Sequence, residues 1–261
     1  MTHAVAGGNG GQASCLVWWA RTSSYMPGLG SLLGASELVR RDLYSREEDR
    51  LRFTVSAALL RLAVAHQLDT EARDVEVTRN CPDCPLPHGR PRVEGVRDVS
   101  VSYAADVVVV AVSEGTAVGV DVEAASPLSP QRAAVLRRAL GNDELREFDG
   151  VSGSARENWL LRRWTYKEAV VKATADGLRT PLPGVQVSEA SGMARLISYP
   201  GRPELPDSRV ELTPLKVPAG YAAPESMASA AFLVDGGMSL HRVRVRVRDG
   251  RELFPSERHT A

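Results

Sequence analysis

Trp164-Thr165-Tyr166-Lys167-Glu168-Ala169-Val170-Val171-Lys172 lies inside a run, 154–175, that contains neither glycine nor proline. Apolar residues recur there at helical spacing. The pattern predicts a helix from about Ser154 to Ala175, with Gly177 as its C-terminal cap and Pro181 barring continuation. On that helix Trp164, Glu168 and Lys172 step four residues at a time and share one face, flanked by Lys167 and Val171. Only three of the 32 basic residues of the chain are lysines, and two of those three fall in this stretch. Lysine is a compact, rotatable point charge suited to a moving anion, whereas arginine is a rigid fork. A solvated Glu168/Lys172 pair would be worth only about 0.2–0.5 kcal/mol, and this stretch by itself leaves both readings open.

Upstream, a helix is expected from about Gln131 to Leu140 and a shorter one near Asp143 to Phe148. Ser126-Pro127-Leu128-Ser129-Pro130 punctuates the chain before them and divides it into two halves, 14–126 and 127–261. Residues 1–13 are Gly-rich and expected to be flexible. Val107 to Val112 is an unbroken apolar run, the mark of a strand covered on both faces. After the turn Ser113-Glu114-Gly115-Thr116, the segment Val118-Gly119-Val120-Asp121-Val122-Glu123 alternates strictly. Its valines point to a core; Gly119, Asp121 and Glu123 point the other way.

Nearer the start, Cys15 to Ala20 reads as a buried strand. Ser45-Arg46-Glu47-Glu48 resembles a helix start, with Ser45 as N-cap and Glu48 closing a capping box. That helix should run to about His66, with Arg50, Arg52 and Arg61 not all on one face. Downstream of Pro181 the pattern turns to strands: Val185 to Val187, Ala194 to Ser198, Val210 to Leu215 and Ser229 to Val234. The tail from His241 to Arg248 alternates Arg and Val, as an edge strand protected by charge would. No internal repeat is evident.

A chain of 261 residues can bury a substantial core as one domain or two small ones. Zero net charge argues against a dedicated nucleic-acid binder. Three cysteines cannot build a disulfide framework, and the odd count suits a reducing compartment. The short apolar stretch Leu16–Ala20 is neither a signal nor a span, so a soluble cytoplasmic protein without membrane contact is expected.

Asp121 and Glu123 stand two apart on one strand face, where like charges repel unless something positive lies between them. Magnesium takes oxygen ligands, commonly one or two carboxylates with substrate phosphates and water. With Glu168 and Lys172 added, the set comprises a metal clamp, a base and a cation for leaving charge, as phosphoryl-type transfer requires.

The pairing of Gly119-Val120-Asp121-Val122-Glu123 with Trp164–Lys172, some forty residues later, resembles the 4′-phosphopantetheinyl transferases. The likeness is to their larger, monomeric class, which serves carrier proteins of peptide and polyketide synthases. It extends to His88-Gly89-Arg90-Pro91 and to Asp49-Arg50-Leu51-Arg52-Phe53 with Arg61, covering roughly 45–182. The resemblance implies an α+β fold of two similar lobes in a pseudo-twofold arrangement. Each lobe would be a small, mostly antiparallel sheet on a helix, with coenzyme A in the cleft between.

It also implies a reaction: a serine of an apo acyl or peptidyl carrier protein attacks the β-phosphate of coenzyme A, and 3′,5′-ADP leaves. Asp121, Glu123 and Glu168 would bind Mg²⁺, Glu168 would take the serine proton, and Lys172 would offset charge on the pyrophosphate. Arg52, Arg61, Arg90, Pro91, Ser102, Tyr103 and Lys167 would join Lys172 around coenzyme A. Trp164 would pack the helix. Arg132, Arg137 and Arg138 could meet an acidic carrier helix.

One departure stands out. Where the family has Ser-His, this chain has Ser102-Tyr103, and tyrosine carries no positive charge at neutral pH. That leaves a second reading, a weakened member that binds coenzyme A or a carrier protein as a regulator. Cys81-x-x-Cys84-x-x-x-His88 invites a zinc reading, yet a closed site needs four ligands and Cys15 is remote. A zinc-supported nucleic-acid module using the Arg-rich tail is a third reading.

Overall fold

The computed structural model describes residues 13–81, 84, 89–124, 127–203, 205, 209–221, 226–234 and 243–254. The fold is α+β. In chain order the elements are β1 (Ser14–Arg21), α1 (Ala35–Asp42), α2 (Glu47–Leu68), β2 (Val77–Arg79), β3 (Pro91–Val93), β4 (Asp98–Ala104), β5 (Val107–Ser113) and β6 (Ala117–Glu123). There follow α3 (Pro130–Arg138), α4 (Asn142–Asp149), α5 (Ala155–Thr174), β7 (Gln186–Ala190), β8 (Met193–Ser198), β9 (Val210–Pro214), β10 (Met227–Leu233) and β11 (Arg244–Asp249).

Two sheets carry the fold, in the orders β11-β1-β5-β4 and β6-β10-β9-β8-β7. All pairings are antiparallel except β1 with β11. The first sheet buries Trp18, Ala20, Val108, Val110 and Val112 against Leu59, Leu60, Ala63 and Val64 of α2. Its other face, with Val17, Trp19, Val107 and Val109, packs on Val118, Val120, Val122, Ala230 and Phe232 of the second sheet. Beyond that sheet, Tyr166, Ala169, Val170 and Ala173 of α5 cover Val187, Leu196, Leu212 and Ala231. Four layers result, helix, sheet, sheet, helix, and the unbroken run of β5 is buried throughout, as a strand covered on both faces must be.

The lobes follow one plan, and it reveals a repeat that the sequence reading missed. Gly34-x-x-Glu37-Leu38-x-x-x-Asp42 recurs as Gly141-x-x-Glu144-Leu145-x-x-x-Asp149. Each opens a short helix, α1 or α4, in which the glutamate accepts the glycine N–H, at 3.0 Å for Glu37 and 2.8 Å for Glu144. Each glutamate also holds a buried cation of the long helix in its lobe: Arg61 of α2 at 2.8 Å and Lys167 of α5.

Strand membership differs from a division at residue 126. β6 belongs to the second sheet, and the C-terminal β11 returns to the first as an edge strand. Of the charged tail, His241 and Arg242 lie outside the described residues. Two cap assignments also change. Helix α2 begins after Arg46 with no side-chain cap, so Ser45 and Glu48 form no capping box. Helix α5 ends at Ala175 in the left-handed region, φ 62°, ahead of Gly177. No helix among the described residues is long and apolar enough to cross a membrane.

Candidate active site at the β4–β6 seam

β6 is an edge strand of its sheet, so half of its backbone groups need partners from elsewhere. They come from side chains. Asp98, Ser100 and Ser102 of β4 accept the N–H groups of Val118, Val120 and Val122 at 2.7, 3.0 and 3.4 Å. The constant offset of twenty residues means that the strands run parallel. Arg90 donates to the Val118 carbonyl (2.8 Å) and Lys172 to the Val120 carbonyl (3.1 Å). The signal for this seam was the alternation Asp98-x-Ser100-x-Ser102 opposite Val99 and Val101, which the sequence reading passed over.

Gly119 lets α5 lie against this strand. A Cβ there would stand 1.9 Å from the Ala169 carbonyl oxygen and 2.9 Å from the Lys172 Cβ. Lys172 Nζ reaches Asp121 Oδ1 at 2.7 Å and Ser102 Oγ at 3.0 Å, so its three N–H groups are all engaged. Ser102 in turn donates to Asp121 Oδ1 at 2.8 Å. Asp121 is 5% exposed, and its Oδ2 is buried with no donor among the described residues.

Glu123 and Glu168 complete the acidic set. Arg132 of α3 lies 2.6 Å from Glu123 Oε1 and stacks over the Trp164 ring at 5.2 Å. Burial, then the Asp121 charge, push the Glu168 carboxyl above its ordinary range, although Lys172 and Arg132 pull the other way. Glu123 is raised by the same two causes, with a smaller push from Glu168. The three carboxylates therefore sense one another. They do not form a ready-made cage, however: no three acidic, His or Cys side chains among the described residues are gathered as metal ligands. Like charges in a half-dry site repel, and the chain's own Lys172 and Arg132 are drawn onto two of them. An all-oxygen donor set, mutual repulsion and the undonated Asp121 Oδ2 fit a small hard cation such as Mg²⁺.

Several residues expected around coenzyme A are engaged within the protein. Lys167 is fully buried, and Glu144 with the Ala139 and Leu182 carbonyls takes all its N–H groups. Arg61 is 5% exposed and held by Glu37 and the Val75 carbonyl. Both side chains are enclosed by acceptors of their own lobe and clamp its long helix. Ser102 is buried and positions Asp121 and Lys172 instead of facing outward. Arg90 is tied to Asp98 and to the Val118 and Ala173 carbonyls, and Pro91 is buried in β3.

Tyr103 remains 41% exposed, with the Arg52 guanidinium 5.7 Å from its ring centre. Nearby lie two arginines that the sequence reading missed. Burial and the Arg40 charge lower Arg79 to about 10. Arg79 Nε and Arg40 Nη1 are buried without an acceptor among the described residues. His88 lies outside the described residues. Cys15 is a buried core group, and burial pushes its thiol up to about 12. A separate cleft of about 670 Å³, lined by Arg21, Tyr25, Tyr221 and Arg251 among others, contains none of the carboxylates.

Residues 117–223 match the family described as the 4′-phosphopantetheinyl transferase superfamily. The Synechocystis sp. protein slr0495, provisionally named a 4′-phosphopantetheinyl transferase, is 26% identical over 167 residues, 62% of this chain and 65% of that protein. The Nostoc sp. 4′-phosphopantetheinyl transferase HetI is 26% identical over 155 residues, 59% of this chain and 65% of its own. Both alignments thus span a little under two thirds of the relative's length. The crystal structure of Thermotoga maritima holo-[acyl-carrier-protein] synthase superposes with a TM-score of 0.35 at 20% identity, covering 46% of this chain and 63% of that one. The segment that matches this family holds β6, α5 and with them Asp121, Glu123, Glu168 and Lys172.

Proposed function

We propose that the protein transfers the 4′-phosphopantetheine arm of coenzyme A to a serine of an apo acyl or peptidyl carrier protein. The observation that carries this reading is the juxtaposition of Glu168, Lys172, Asp121 and Glu123 along one strand–helix contact. Glu168 accepts the serine proton. Its raised affinity for protons suits a general base, which must take a proton near neutral pH. The serine oxygen bonds to the β-phosphorus, the bond from that phosphorus to the bridging oxygen breaks, and 3′,5′-ADP leaves with the electron pair. Lys172, fixed by three acceptors, places a positive charge beside this centre without reorganising.

Asp121, Glu123 and Glu168 would hold Mg²⁺, which when bound neutralises pyrophosphate charge. Arg40, Arg52 and Arg79, grouped near Tyr103, supply the cationic surface for further phosphate that a histidine would otherwise share. The test is intact-mass measurement of several unrelated apo carrier proteins after incubation with coenzyme A, Mg²⁺ and the protein. The expected result is addition of one phosphopantetheine group. No gain on any carrier that a known transferase modifies would overturn the reading.

A further inference from the structure

We propose that Arg132 is an internal counter-ion that competes with a divalent cation for Glu123, so that loading the site releases its guanidinium from Glu123 and Trp164. The inference rests on the metal-binding part of the proposed function and concerns how that site is filled.

Two cations of the chain sit on the acidic set, and they differ in how easily they leave. Lys172 is held by three acceptors: moving it strips a donor from Asp121, Ser102 and the Val120 carbonyl together. Among the described residues Arg132 has one acidic partner, and its side chain is 40% exposed, against 19% for Glu123. Its backbone is fixed independently, since its N–H donates to Ser129 Oγ at 3.1 Å at the start of α3. The long stem can therefore swing into water while the helix stays in place. A weakly hydrated guanidinium facing water on one side loses little by leaving. Glu123 then loses its ion pair, and Asp121 Oδ2, two residues away on β6, has no donor among the described residues.

The test is Mn²⁺ binding by electron paramagnetic resonance, together with tryptophan emission during Mg²⁺ titration, on the full chain without coenzyme A or carrier. Arg132→Gln should bind Mn²⁺ about three- to five-fold tighter than wild type, as expected for removal of a partly exposed competing charge. Arg132→Lys should bind as wild type does. Mg²⁺ should change the wild-type emission, and Trp164→Phe should abolish that change. In an Glu123→Gln background, Arg132→Gln should add nothing. Binding by wild type with unchanged or weaker affinity in Arg132→Gln would overturn the inference alone. Absence of Mn²⁺ binding at millimolar concentration in both proteins would overturn it together with the metal assignment.

Discussion

The two lobes solve the same packing problem and put it to different ends. In the first, α2 lies on β5, whose residues are all buried, and the contact is pure core. In the second, α5 lies on β6, where glycine and two carboxylates replace the inward face that valine would fill. The anchoring is shared: a short helix starts at a glycine, and its glutamate holds a buried cation of the long helix. The details differ, because Glu37 Oε1 is buried without a donor, whereas Glu144 Oε1 accepts the Val187 N–H at 3.0 Å. The better-satisfied clamp belongs to the lobe whose helix carries Glu168 and Lys172. A chemical site on one strand–helix contact needs that contact held from behind.

The comparison breaks most sharply at the clamps. Glu144→Ala leaves the Lys167 ammonium buried without its counter-charge and should cost about 3–5 kcal/mol, the range for breaking a buried pair from one side. Glu37→Ala should cost less, since its second oxygen is already unsatisfied and the loss of that desolvated atom offsets part of the penalty. Denaturant unfolding of both variants measures the difference; equal losses would mean that the two clamps are equivalent.

Gly119→Ala comes next. The added methyl meets backbone atoms of α5, not the tip of a mobile side chain. Overpacking of this kind costs about 1–3 kcal/mol and should pull Lys172 away from Asp121. Retained stability with unaltered activity would refute close strand–helix approach as the basis of the site.

The smallest effect on stability, and the most diagnostic, concerns Glu168. Its folded-state pKa lies above the ordinary 4.5, so the folded protein binds that proton more tightly than the unfolded chain does. Between the two values stability falls as pH rises, and above them ionised Glu168 is a net cost. Glu168→Gln should therefore unfold no earlier than wild type at neutral pH, and slightly later. A destabilised Glu168→Gln would contradict this assignment.

What the sequence disclosed follows physical lines. β5, β6 and α5 were legible because long apolar periods leave little choice of element, and the valine alternation of β6 correctly turned Asp121 away from the core. β4 was missed because serines carry its inner face, and their purpose shows only when another strand's N–H groups arrive. The burial of Lys167 was not legible because rarity of lysine says nothing about it; its counterpart in the other lobe is Arg61, and only the matching glutamates show it. The repeat at Gly34 and Gly141 escaped notice because four shared residues in nine have no periodicity to draw attention. Arg132 was seen as a surface cation, since nothing in sequence tells an arginine at a helix start that it will reach back to Glu123.

The central claim, that the β6–α5 contact is a catalytic centre, is tested most directly by intact-mass measurement of an apo carrier protein with coenzyme A and Mg²⁺, wild type beside Glu168→Gln. The account predicts one phosphopantetheine added by wild type and a loss of about 10²–10⁴ in rate for the folded variant, the range for removing a general base. Equal labelling by the two proteins would contradict it.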